Sequence, residues 1–172
     1  MHIQYKKSTM HLEELPLDVG YMSEKITLAE KKTGKEMILG GQNGKTQLFI
    51  SAPFIDDSLL EELKIIDKEL PKGGEHEVNA FFIQSKAAED DLCFEKIEVF
   101  LDNKNEFADF YGTKLVGEPF DGSLTKALIL ISKDGAIFYD EFLKDLDEKF
   151  NLPVLMRKIF AAQTCYTGKG CH

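Results

Sequence analysis

No stretch of this sequence is apolar over the ~18 residues that a membrane-crossing helix needs. Sulfur is scarce as well. Three cysteines, Cys93, Cys165 and Cys171, in 172 residues are too few for a disulfide framework, so each is expected to be a free thiol in a reducing compartment. Basic residues are outnumbered, with 21 Lys and Arg against 30 Asp and Glu and a formal net charge of −9. Such a chain is a poor match for a phosphate backbone, and nucleic acid is not an expected partner. Met1 to Lys7 carry charge with no apolar stretch behind them, so no secretory signal is visible and the chain reads as cytoplasmic. A phosphate-binding loop is missing too. Three residues separate Gly40 from Gly44 where the motif needs four, and the loop leads into a strand rather than a helix. Five residues separate Cys165 from Cys171, which rules out a haem-attachment motif. No Ser/His/Asp arrangement can be read from spacing, and His2, His11 and His76 lie in polar, solvated surroundings. No cofactor is expected.

What is present suffices for a core: 43% apolar residues, with 13 Phe among them. One domain is the natural expectation at this length. The organising stretch runs from Gly44 to Leu63. Leu48, Phe49 and Ile50 read as a buried strand, residues 51–57 turn at Pro53, and Leu59, Leu60, Leu63, Ile66 and Leu70 recur at helical spacing. Ser58, with Glu61 three residues on, suggests a capping box at the helix start. A strand running through a turn into a capped helix aims backbone N–H groups and a positive helix end at the strand's carboxyl edge, where anions and activated thiols are often found.

Around this unit, residues 26–29 and 36–39 read as a hairpin. Residues 78–83 and 97–101 read as strands, and residues 85–94 as a short polar helix or turn. Residues 105–111 predict a short helix with Phe107, Phe110 and Tyr111 facing inward and Gly112 closing it. Residues 127–131 and 136–139 predict a second hairpin. Phe142, Leu143, Leu146 and Phe150, then Leu155, Ile159 and Phe160, suggest a final helical region interrupted near Pro153. This order predicts an α/β fold with a mixed sheet, helices on both faces, and residues 48–50, 80–83 and 128–131 as adjacent central strands.

Pro53, Ile55 and Asp56 resemble the corresponding positions of the thiol peroxidases, the atypical two-cysteine peroxiredoxins. Farther on, Tyr111, Gly112, Thr125 and Ala127 are similar to that family as well. The resemblance covers roughly residues 12 to 155. It implies a thioredoxin-like fold with an N-terminal hairpin, spanning 1–160, ahead of a flexible cysteine-containing tail, 161–172. It also implies a homodimer formed through the face around the active site and, for any cycling thiol, a thioredoxin-type reductant. The family's Thr falls at Asp57, its peroxidatic Cys at Leu60 and its active-site Arg at Lys126. Cys93 falls where the family keeps its resolving Cys.

Peroxide reduction needs an activated thiolate and a cation beside it. Leu60 supplies no nucleophile. Asp56 and Asp57 add negative charge at the helix start and suit capping instead. Lys126 keeps a charge but not the planar fork, and pairing with Asp57 would neutralise it. The expectation is a non-catalytic binding or regulatory relative. The alternative is a thiol–disulfide oxidoreductase using Cys165 and Cys171, or Cys93. Cys93 reads either as an inert thiol buried beside Leu92 and Phe94 or as a reactive one, and the acidic run Glu89-Asp90-Asp91 speaks against reactivity. In the tail, Cys165 and Cys171 fit a reversible disulfide, a thiol carried to the degenerate site, or, with His172, a partial zinc or copper site. That last set has only three ligands and matches no standard zinc spacing, so no metal is assigned. Set against these is a plain terminus with two idle thiols.

Overall fold

The computed structural model describes residues 1–71, 73–85 and 91–164. Two strands, β1 (His2–Tyr5) and β2 (Ser8–Leu12), form the expected N-terminal hairpin. A second hairpin follows, β3 (Ile26–Glu30) and β4 (Glu36–Leu39). Then come β5 (Thr46–Ser51), α1 (Asp57–Glu69), β6 (Val78–Ser85), β7 (Ile97–Asp102) and α2 (Glu106–Phe110). The chain continues through β8 (Leu115–Val116), β9 (Ala127–Ile131), β10 (Ile137–Phe142) and α3 (Leu152–Thr164).

The main sheet has seven strands in the order β10-β9-β5-β6-β7-β3-β4. β5 runs parallel to β6 and antiparallel to β9. The three apolar runs predicted as central neighbours are therefore β9, β5 and β6, side by side. β1, β2 and β8 form a separate small sheet that packs against Leu146 and Phe142. Every residue of β5 is buried, because both of its faces are covered. Leu48 and Ile50 meet α1 and α3 on one face, whereas Phe49 meets Phe107 and Tyr111 on the other. Alternation along one strand thus feeds two cores, as the period of two requires.

Three local expectations are corrected. Phe110 does not face inward but is 48% exposed, while Phe107 and Tyr111 are fully buried. A helix of one and a half turns can bury only one stripe. The spacing of Phe142, Leu143, Leu146 and Phe150 does not make a helix. Phe142 ends β10, and residues 143–150 turn back across the sheet. Pro153 does not interrupt a helix but lies in the first turn of α3, where the missing N–H has no intrahelical acceptor to lose. The segment 85–94 shows no helix among its described residues. α3 extends past residue 160 to Thr164, with Ala162 and Gln163 buried. Cys165, Cys171 and His172 lie outside the described residues. No described helix is long and apolar enough to cross a membrane.

Candidate functional site

The chain leaves β5 at Ser51, turns through Pro53 and enters α1. Ser58 is not the N-cap. Asp56 is, with extended backbone (φ −117°, ψ 177°) and a side chain that accepts from the Leu59 N–H at 2.8 Å. Two successive aspartates outcompete the later serine, and Asp57 already sits in the first turn, where its charge suits the helix dipole. Leu60 follows in that same turn, half-buried, its N–H bonded to the Asp56 carbonyl at 3.0 Å. The helix start therefore meets its own anions, and Leu60 brings an isobutyl group to the first turn.

Lys126 does not pair with Asp57. Its ammonium lies 3.0 Å from Glu62 Oε2, donates to the Glu148 carbonyl at 2.6 Å and sits 5.0 Å above the Phe150 ring. The other Glu62 oxygen accepts from the Phe150 N–H at 2.6 Å. Lys126 and Glu62 side chains are only 6% and 5% exposed. Asp57 is exposed, and a buried ammonium needs a buried partner. This pair ties α1, the entry to β9 and the turn before α3 into one unit. Sequence reasoning missed Glu62, although a signal existed: it stands three residues after Leu59 and four before Ile66, on the apolar stripe of α1. Next to the pair, Glu141 accepts from the Asn151 N–H. Burial pushes its carboxyl above the usual range, against the lowering effect of that bond.

Pro53 is half-buried beside an aromatic cluster that was also missed. The rings of Tyr5, Phe54 and Phe120 lie 5.0 to 5.3 Å apart, joining β1, the Pro53 turn and the loop after β8.

Cys93 is not buried. It is an exposed free thiol, because its neighbours Leu92 and Phe94 turn inward onto the α1 core and leave the residue between them facing out. Lys32 Nζ lies 3.8 Å from its sulfur. Both line a cleft of about 540 Å³ with an apolar floor that includes Ile97 and Val99. Asp67 fixes this segment to α1, its carboxylate accepting from the backbone N–H groups of Glu95, Lys96 and Ile97 at 2.7 to 2.9 Å. Lys96 adds a bond to the Leu70 carbonyl at 2.6 Å. Cys93 therefore belongs to the carboxyl-terminal half of α1. Leu60 lies in the first turn, seven residues before Asp67, or about 10 Å along the axis. The structure does not bring Cys93 together with Lys126. Among the described residues, no group of three or more His, Cys, Asp and Glu is placed to hold a metal ion.

The sequence matches no family model and no curated protein. Solved structures do match. A peroxiredoxin-like protein from Aquifex aeolicus is 20% identical, with 94% of this chain and 96% of that one covered at a TM-score of 0.81. The fold is the peroxiredoxin form of the thioredoxin-like fold. A thiol peroxidase from Chromobacterium violaceum is 14% identical, covering 94% and 97% at a TM-score of 0.74. A mitochondrial 2-Cys peroxiredoxin from Plasmodium falciparum is 14% identical, covering 90% and 99% at 0.63. These likenesses establish the fold.

Proposed function

We propose that this chain is a peroxiredoxin-type protein that has given up peroxide chemistry and acts by binding, as a homodimer joined through the face around Pro53, in the cytoplasm. The observation that carries the reading is the buried ion pair of Lys126 with Glu62, on the helix whose first turn holds Leu60. A peroxide site needs a nucleophile and an uncommitted cation. Here the nucleophile position is aliphatic, and the cation is neutralised, fully bonded and out of solvent. The half-buried aromatic cluster of Tyr5, Phe54 and Phe120 supports the dimer, since aromatic side chains of this kind serve as interface anchors.

The test is turnover of hydrogen peroxide and of an alkyl hydroperoxide with a thioredoxin system. The native chain is expected to match a variant with all three cysteines changed to Ser. Turnover well above that variant would refute the reading. Sedimentation velocity tests the dimer, with Phe54→Ser expected to shift it toward monomer.

One observation favours a second reading, thiol–disulfide exchange: Cys93 is presented on an open cleft. Mixed-disulfide trapping with thioredoxin on the native chain, Cys93→Ser and Cys165→Ser separates the candidates. Loss only in Cys93→Ser assigns the exchange to the cleft, and loss only in Cys165→Ser assigns it to the tail pair with Cys171. Trapping by none of them leaves the binding reading standing alone.

A further inference from the structure

Residues 15–22 carry an unusual load of exposed apolar surface. Leu15 is 80% exposed, Val19 56%, Tyr21 62% and Met22 55%. Single exposed apolar side chains are ordinary, but four within eight consecutive residues make a patch. This loop is also held in place. The Tyr21 carbonyl and Gly20 N–H bond to Ile137, and the Ser23 N–H to the Gly135 carbonyl, all at 2.8 Å. At its other end it crosses Gly112 so closely that a Cβ there would lie 2.6 Å from the Leu15 carbonyl oxygen.

Between the loop and the end of β10 lies a groove of about 520 Å³. Its apolar walls come from Met1, Leu15, Pro16, Leu17 and Phe142, and its polar groups are the carboxylates of Asp18, Asp140 and Glu141. β10 is the terminal strand of the sheet, and the loop pairs with its outer side only near its start. The groove continues along the rest of that edge. Glu141 is committed to the Asn151 N–H. Asp140 is half-buried and has no hydrogen-bond or ion-pair partner among the described residues. Burial, and then the charge of Asp18, raises its carboxyl above the ordinary range. A desolvated carboxylate with no cation is costly, and a guest that brings a cation removes that cost.

We propose that this groove is a docking site for an extended segment of another protein in which Lys or Arg alternates with apolar residues. Alternation suits a segment lying along a sheet edge, where successive side chains point to opposite sides. Its apolar residues would cover Leu15, Pro16 and Leu17, and its cations would meet Asp18 and Asp140. A second copy of this chain is a poor occupant, because it would bring Asp18 and Asp140 against themselves on a molecule of net charge −9. The fixed loop keeps the ordering cost of binding low. This deepens the binding reading above by naming the partner's chemistry.

The probe is a phage-displayed library of random dodecapeptides, panned on the full chain and depleted on the double variant Leu15→Ser/Asp140→Asn. Leu15 is exposed and Asp140 half-buried, and thermal melts establish that the variant is folded. The surviving peptides are expected to alternate basic and apolar residues. Labelled with fluorescein, they should bind the native chain at least about tenfold more tightly than either single variant, and more weakly as salt rises. Survivors lacking basic residues, a panning that never separates native chain from variant, or a homodimer lost in Leu15→Ser would each overturn the proposal. Peroxide turnover on the same preparation tests the other reading separately. Turnover with peptide binding sinks only the non-catalytic assignment, and neither turnover nor binding sinks only the groove.

Discussion

The two halves of α1 present different things. At its amino end the architecture is intact: β5, the Pro53 turn, a capped helix and a buried cation on the neighbouring strand. No thiol stands there: Leu60 is aliphatic, and Glu62 pairs with Lys126. At its carboxyl end a sulfur is present, but it stands on an open surface, held by Asp67 to the far part of the helix. A site needs both a scaffold and a reactive group in one place. Here the scaffold and the only described thiol are separated along a single helix, which is why the fold is a better guide to shape than to activity.

The largest effect should come from breaking the closed end. Removing one member of a buried ion pair leaves the other charged and unpaired, which costs about 3–5 kcal/mol. Lys126→Met and Glu62→Leu are each expected to cost that much in urea denaturation. The double variant should be closer to the native chain than either single one, because an apolar replacement of the whole pair carries no stranded charge. Single losses below about 1 kcal/mol would mean that the pair is solvated and the amino end is not closed.

A smaller effect tests how far that closure reaches. Tyr139 is pushed up to about 12, first by burial and then by the Glu141 carboxylate beside it. Its hydroxyl lies 3.4 Å from Glu141 Oε2. A phenol held above its unfolded value of about 10 contributes stability that is fully present below that pH. The contribution is lost as pH rises through about 12. The native chain should therefore show an alkaline loss of stability between those values that is shallower in Tyr139→Phe. Ultraviolet titration should show a late tyrosinate step that the same substitution removes, leaving the still later one of the more deeply buried Tyr111. If the step persists in Tyr139→Phe, the local field around Glu141 has been misassigned.

The physics of legibility follows the same division. The central strands could be read because their apolar runs are bounded by turns, and both constraints lie within a few residues. Ser58 and the aspartates before it all have capping chemistry, and only the backbone decides among them: Asp56 is extended and its carboxylate reaches the Leu59 N–H. Phe142, Leu143, Leu146 and Phe150 mimic a helical stripe, yet their burial comes from β10 and from a turn that packs back on the core. Lys126 and Glu62 are 64 residues apart, and Asp67 grips backbone 28 to 30 residues away. Spacing carries no information about such pairs. A charge on an apolar stripe does say that a partner exists, though not which one.

The smallest effect belongs to Cys93, and it bears on the other half of the comparison. Free cysteines are usually buried, and that general tendency suggested an inert thiol beside Leu92 and Phe94. Alternation decides otherwise. The two flanking side chains enter the core, so the sulfur between them faces solvent, and deleting it removes almost no packing. Cys93→Ser should change stability by no more than about 0.5 kcal/mol, the usual range for a surface substitution. In a background with Cys165 and Cys171 changed to Ser, iodoacetamide should label the remaining thiol in the folded chain within a few-fold of its rate in urea. Labelling that is slower by about two orders of magnitude in the folded chain would report protection by local opening. Cys93 would then be closed as well, and the contrast between the two halves of α1 would fail.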